Sequence, residues 1–218
     1  MEETLPDSAP DTDRAWRRAP EEERRADLIR ATIDCVADGG VAAATVRAVA
    51  ARAGVSNGLI RHHFDSKEAL VQAAYRALMG DMTGTAELAA EGAPADRLAR
   101  FIAANCRPPV LDGRKLSAWA GFIGPVRTDP EMAAIHKAGY LRFCGLLEPM
   151  IARVFLAEGR ATAAVPDHAR QIAALIDGLW LEGCLAPDLF DGDTLARLAL
   201  DAAGRILGLT LTEPETDA

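Results

Sequence analysis

The sequence predicts an all-α protein built as a small N-terminal three-helix head, containing a helix-turn-helix, followed by a larger helical body. Three observations predict it. Apolar residues recur at three- and four-residue spacing along most of the 218 residues, and no alternating strand pattern survives. Glycine and proline cluster into clear separators between those segments. Residues 39–64, GGVAAATVRAVAARAGVSNGLIRHHF, hold three arginines, two histidines and no acid, although the chain carries a formal charge of −8.

The elements follow in order. Residues 1–20 lack an apolar period and read as a disordered acidic tail, in which Trp16 with Arg14, Arg17 and Arg18 offers a basic arm. A first helix is expected from Glu21 to Asp38. Three glutamates suit its N-terminus, Leu28, Ile29, Ile33 and Val36 form its stripe, and Gly39-Gly40 ends it. Thr45 caps the next helix, where Val46, Val49, Ala50 and Ala53 share a face, and Gly54 supplies the turn. Ser56 caps a third helix, from Asn57 to about His63, with Ile60 inward and Phe64 closing the head. The head spans residues 21–65. Asp65-Ser66-Lys67-Glu68 resembles a capping box and opens a connecting helix over 66–82, with Leu70, Val71, Ala74 and Leu78 inward. The body, residues 83–210, reads as five helices at about 95–106, 113–126, 130–157, 167–186 and 192–208, with Pro149 expected to kink the third. Residues 211–218 read as a second tail.

The charge distribution points to a polyanionic partner. Residues 1–13 carry five acids and residues 213–218 three, with no base in either segment, so the tails account for the whole −8. Residues 14–80 hold eleven Arg/Lys against eight Asp/Glu. Local distribution outweighs the total in steering a partner. A helix pair joined by a short glycine turn is the DNA-binding unit, and its second helix has fitting chemistry. Asn57 can donate to and accept from an adenine edge. Gly58 lets the backbone approach the duplex, and Arg61 can reach a base or a phosphate. Arg47 can reach base or backbone, while His63 and Lys67 are placed for phosphates. A structural hairpin with a solvated basic face has the same spacing; the missing acids and the serine cap favour double-stranded operator DNA.

The stretch TVRAVAARAGVSNGLIRHHFDSKEAL, residues 45–70, resembles the TetR family of one-component bacterial repressors, and the likeness covers about residues 22–80. That resemblance implies a homodimer whose heads read an operator and whose bodies bind a small effector. It places Arg47, Asn57, Gly58 and Leu59 near bases, and Arg61, His63 and Lys67 near the backbone, with Thr45, Ser56 and His62 completing the expected DNA-binding set. The family often has tyrosines where this chain has Arg61 and His63. Residues 173–190, AALIDGLWLEGCLAPDLF, are similar to the penultimate helix and loop of the BetI-like subgroup, as are the surroundings of Trp119, Phe122 and Pro130. The subgroup's named member represses choline-to-glycine-betaine genes and responds to choline. Ile123 stands where a second aromatic is expected, and Tyr140 where a basic residue is.

Asn105, Trp119, Phe122, Tyr140, Phe143 and Trp180 lie on separate body helices or at their ends and can converge on a ligand, with Asp177 or Glu148 as counter-charge. The same aromatics would also serve as plain core. A choline-like amine is a candidate effector because aromatic faces hold quaternary ammonium groups. From Ile172 to Ala186 the only charges are Asp177 and Glu182. Ile172, Leu175, Ile176 and Leu179, with Leu195, Leu198 and Ala202 on the last helix, are therefore expected at a two-fold interface. Small residues Ala173, Gly178, Gly183 and Ala203 would allow close approach there.

Catalytic motifs are missing: no nucleophile elbow, phosphate loop or paired carboxylates, and no metal spacing among the four cysteines and four histidines. No catalytic residue, cofactor or metal is expected. The acidic, proline-containing N-terminus does not read as a signal peptide, and no apolar run is long enough for a bilayer. The expectation is a cytoplasmic transcriptional regulator with no membrane partner. The alternatives are a helical small-molecule binder without DNA activity, an unrecognised enzyme, or a TetR-type regulator of unrelated genes with an apolar effector.

Overall fold

The computed structural model describes residues 20–83 and 92–213. Nine helices and no strand occur among them: α1 (Glu21–Ala43), α2 (Val46–Ala53), α3 (Asn57–His63), α4 (Lys67–Thr83), α5 (Pro94–Ala104), α6 (Gly113–Val126), α7 (Pro130–Ala157), α8 (Val165–Leu185) and α9 (Gly192–Leu207). The basic arm at Arg14–Arg18 and the acidic tail before Pro20 lie outside the described residues, as does 214–218. Among the described residues no helix is long and apolar enough to cross a membrane.

Local chemistry explains most boundaries. Thr45 Oγ1 accepts from Ala48 N at 3.1 Å and so caps α2. Gly54 closes α2 in the left-handed region, φ 67°, and Val55 N bonds back to Ala50 O at 2.9 Å. Asp112, Asp129 and Asp191 cap α6, α7 and α9 with side-chain acceptors. Proline occupies the first turn of α5, α7 and α8, where its missing N–H costs nothing.

Four expectations change. Ser56 occupies the cap position of α3, but its hydroxyl makes no capping bond. The predicted capping box is half formed: Ser66 Oγ accepts from Ala69 N at 3.0 Å, and position 69 is alanine, so no carboxylate reaches back. The first helix loses helical torsions at Gly39 and Gly40 as expected, then resumes for a turn to Ala43. The C-terminal tail begins later than residue 211, since Leu211 is buried and Glu213 accepts from Arg107 Nη1 at 2.7 Å.

The head packs Leu28, Val49, Ile60 and Phe64 into one core, with the Arg25 guanidinium 4.3 Å from the centre of the Phe64 ring. Helix α6 lies directly on α1. A Cβ on Gly121 would meet Val36 Cγ1 at 2.8 Å, Val36 O at 3.2 Å and Gly40 Cα at 3.3 Å, so glycine there permits backbone-to-backbone contact. At the start of α6, Arg114 donates to Asp34 Oδ1 (2.7 Å) and Asp38 Oδ1 (3.0 Å) on α1. Arg52 of α2 also bonds Asp38, so head and body share one ion-pair cluster. Helix α4 runs between the two parts, tied to α7 by Gln72–Asp129 (3.1 Å) and Arg76–Glu131 (2.9 Å).

Candidate functional site

The two helices of the turn motif present a cation-rich face. Arg47, Ser56, Asn57, Gly58, Arg61 and His62 are exposed, and Leu59, His63 and Lys67 are half-buried beside them. Arg52 is the basic residue of this region that turns away, toward Asp38 of α1. Thr45 Oγ1 accepts the α2 cap bond from Ala48 N, which leaves its O–H available as a donor to a phosphate. His63 sits deeper than Arg61 and His62. Burial, with the nearby Arg24 charge, holds its pKa below the usual histidine value, so near pH 7 it is a mostly neutral ring. A neutral imidazole is a weaker phosphate partner than the exposed Arg61.

Gly58 is informative because the fold does not need it. A Cβ there would meet only Ser56 Oγ, at 3.8 Å, an ordinary contact, and its φ is not positive. The helix would prefer alanine by roughly 0.5–1 kcal/mol. Gly58→Ala should therefore raise thermal stability slightly while weakening binding to specific DNA. A rise in both, measured by melting and by titration, would show that the bare backbone serves no recognition.

The second site is a small cavity between α4, α7 and α8. Its walls include Met79, Met82, His136, Tyr140, Phe143, Asp177 and Trp180, and its volume is about 20 Å³. That is room for about one water, far below the roughly 300–1,000 Å³ of ligand pockets. Four of the seven predicted ligand residues meet here: Tyr140, Phe143, Asp177 and Trp180. The other three stand behind them. Trp119 on α6 packs edge-to-face on Trp180, with centroids 5.7 Å apart. Phe122 stacks on Tyr75 of α4 at 4.9 Å. Asn105 is fully buried; its Nδ2 donates to Phe101 O at 2.8 Å, and its backbone carbonyl accepts from Trp180 Nε1 at 2.9 Å. These three are therefore corrected from wall residues to supports of the wall. Glu148 is not among the wall residues either.

The electrostatics of this cavity are lopsided. Part of Asp177 stays accessible, but its carboxyl sits deep enough that burial pushes its pKa up to about 6. Burial is the single cause, and no ion pair to Asp177 occurs among the described residues. His136 does not supply one, because burial lowers its pKa and Tyr75 Oη bonds its Nδ1 at 2.9 Å. Tyr140 donates to the Arg170 carbonyl at 3.1 Å. Sequence reasoning missed Met79, Met82 and His136 because nothing in their spacing separates a cavity wall from core.

The predicted two-fold interface divides. Ile172, Ile176 and Leu195 are almost fully buried within one chain, as are Ala173 and Ala203, so these belong to the body's own core. Gly183 packs against Leu195 and Leu116. Leu175, Leu179, Leu198 and Ala202 remain partly open. The outer face of α8 adds Gly178, Leu181 and Leu185, continuing to Leu189; Leu185 is 68% exposed and Leu189 66%. Of the seven residues expected at a two-fold interface, Leu175, Leu179, Leu198 and Ala202 therefore stay available to a second copy, beside the open leucines of α8.

Comparison with known proteins agrees with this geometry. Residues 28–74 match the family of bacterial regulatory proteins, tetR family. Residues 94–208, more than half of the chain, match the BetI-type transcriptional repressor C-terminal family. The chain belongs to the TetR family, with a BetI-type C-terminal domain. This TetR-family regulator is 30% identical over 202 residues to the HTH-type transcriptional regulator BetI 1 of Chromohalobacter salexigens, covering 89% of this chain and 96% of that one. It is 33% identical over 183 residues to BetI of Burkholderia thailandensis, covering 83% and 91%. Among solved structures, a transcriptional regulator from Pseudomonas aeruginosa PAO1 superposes with a TM-score of 0.79 at 32% identity, covering 91% of this chain and 97% of that chain. A regulator from Saccharomonospora viridis, solved in complex with choline, shares the fold with a TM-score of 0.71 at 21% identity, covering 83% and 95%. The chain is thus a DNA-binding transcriptional regulator of the TetR type.

Proposed function

We propose that this regulator is a repressor released from its operator by a small organic cation of the choline class. The carrying observation is Asp177: a carboxylate in one cavity with Trp180, Phe143 and Tyr140, and with no ion-pair partner among the described residues. Aromatic faces and a buried carboxylate are the complement of a quaternary ammonium group. The choline complex of the Saccharomonospora viridis neighbour supports the class. In this reading Arg47 and Asn57 contact bases, while Arg61, His62 and Lys67 contact phosphates, with Gly58 and Leu59 close to the duplex.

The switch follows from the cavity's size. A ligand larger than one water must spread α4 from α7 and α8. Trp180 then carries the displacement to Trp119 on α6, and Phe122 carries that of Tyr75 on α4. Both helices bear on the head, α6 through Gly121 and Arg114. A ligand shifts the equilibrium only by its preference for the spread state. The test is a DNA shift assay on the upstream region with millimolar choline. Release by choline in the natural protein, and none in Asp177→Asn, is expected. DNA binding indifferent to choline and to related amines removes the cation reading.

Two heads on successive major grooves, roughly 34–36 Å apart or a multiple of it, require a dimer. In this proposal the open leucines of α8 pair about a two-fold axis, with Leu198 and Ala202 of α9 beside them. Leu185 is exposed in the single chain, so Leu185→Glu leaves the core intact. It is expected to shift sedimentation from dimer to monomer at micromolar concentration and to abolish tight operator binding. An unchanged dimer moves the interface off this face.

A further inference from the structure

Directly outside the cation cavity lies a second, open cleft of about 180 Å³ between α4 and α7. It shares Met79, Thr83 and Gly139 with the inner cavity, so the two are neighbouring chambers. The partition is Met79. Gly139 sits against it so closely that a Cβ there would meet Met79 Cε at 2.4 Å. An unbranched thioether side chain over a glycine is a partition that moves easily, because methionine has many accessible rotamers.

The two chambers have opposite charge. The inner one holds Asp177 with no arginine or lysine among its walls, and burial lowers the pKa of its His136. The outer one is lined by Arg76 and Arg142, with no carboxylate among its walls. Arg76 is ion-paired to Glu131 at 2.9 Å. Arg142 is exposed, and no ion pair engages it among the described residues. Arg142 stands three residues after Gly139 on α7, a rise of about 4.5 Å, less than one helical turn. Both residues line the outer chamber.

We propose that the effector is a zwitterion: an ammonium group seated at Asp177 and an anionic arm, phosphate or carboxylate, bound by Arg142 in the outer chamber. A guanidinium fits either oxyanion with paired N–H donors, so the shared chemistry is an anionic oxygen group a few bonds from the cation. The inference rests on the cation reading of Asp177 and adds the second charge. It also assigns Met79 as the side chain that must swing aside for one molecule to occupy both chambers. Plain choline fills only the inner half.

Calorimetry on the full chain with choline, phosphocholine and carnitine tests it. Phosphocholine or carnitine is expected to bind at least ten-fold more tightly than choline. Arg142→Gln, at an exposed site, is expected to erase that advantage while leaving choline affinity unchanged. Asp177→Asn is expected to weaken all three together. A gain for phosphocholine alone identifies a phosphate arm, and a gain for carnitine alone a carboxylate arm. Equal or tighter binding of choline overturns the zwitterion and leaves the cation site standing. An advantage that survives Arg142→Gln overturns it too. Absence of binding by all three removes both readings.

Discussion

An Arg47→Ala, Asn57→Ala double variant is expected to lose most sequence discrimination while keeping its fold and general attraction for DNA. Both side chains are exposed on the turn motif, so neither change opens the core. Each good bidentate base contact contributes about 1–3 kcal/mol. The pair together should cost on the order of 2–6 kcal/mol of specific binding if the sites act independently. Titration of operator and of scrambled DNA at fixed salt separates the effects. Lys67→Ala should instead weaken both DNAs alike and lower the salt slope by about one. A folded double variant with unchanged operator affinity would mean that another face reads the bases.

Asp177→Asn is expected to make the ligand-free protein more stable at neutral pH and deaf to cations. The carboxyl's folded pKa, about 6, lies above its ordinary value of 3.8. The folded state therefore binds the proton more tightly than the unfolded chain does. Its contribution to stability is full below about pH 4 and is lost as pH rises through about 6. Two units correspond to nearly 3 kcal/mol, and partial solvent access reduces this to roughly 1–2 kcal/mol. Melting at pH 7.5 should rise in the asparagine variant, and the gain should vanish near pH 4. The cation's affinity in the natural protein should fall as pH drops below the bound-state pKa, which a bound cation moves under 6. Equal melting of both proteins at pH 7.5 would show that the carboxylate is solvated and that the site is not primed for a cation.

The helices and their order were legible because punctuation in this chain is strong. Asp112, Asp129 and Asp191 cap, Pro94 and Pro130 start, and Gly54 and Gly208 stop. The exposed, cation-rich face of the turn motif was legible because exposure there follows from the motif and from missing acids. The half-burial of His63 was not legible, because it depends on α1, whose Arg24 and Arg25 lie far away in sequence. The body was harder. Helical spacing marks Ile172, Ile176 and Leu195 as apolar but cannot tell a chain's own core from a surface awaiting a second copy. Likewise it cannot show that Trp119 and Asn105 stand behind Trp180 rather than beside it. Those distinctions arise only when α6, α8 and the end of α5 are packed together.

The crossing at Gly121 has a consequence for how this protein could be altered. Where helices meet through side chains, small movements of one are absorbed by rotamer changes in the other. Here Gly121 brings α6 against the Val36 carbonyl and Gly40 Cα, so little soft material intervenes. In the proposed switch such a joint transmits position and is indifferent to the identity of the molecule that moves α6. The cavity walls at Met79, Tyr140 and Phe143 lie on other helices and take no part in that crossing. On that proposal, sensing and actuation are separable modules in one chain. A biosensor designer could re-line the chamber for a new analyte and retain the readout, provided position 121 stays a glycine.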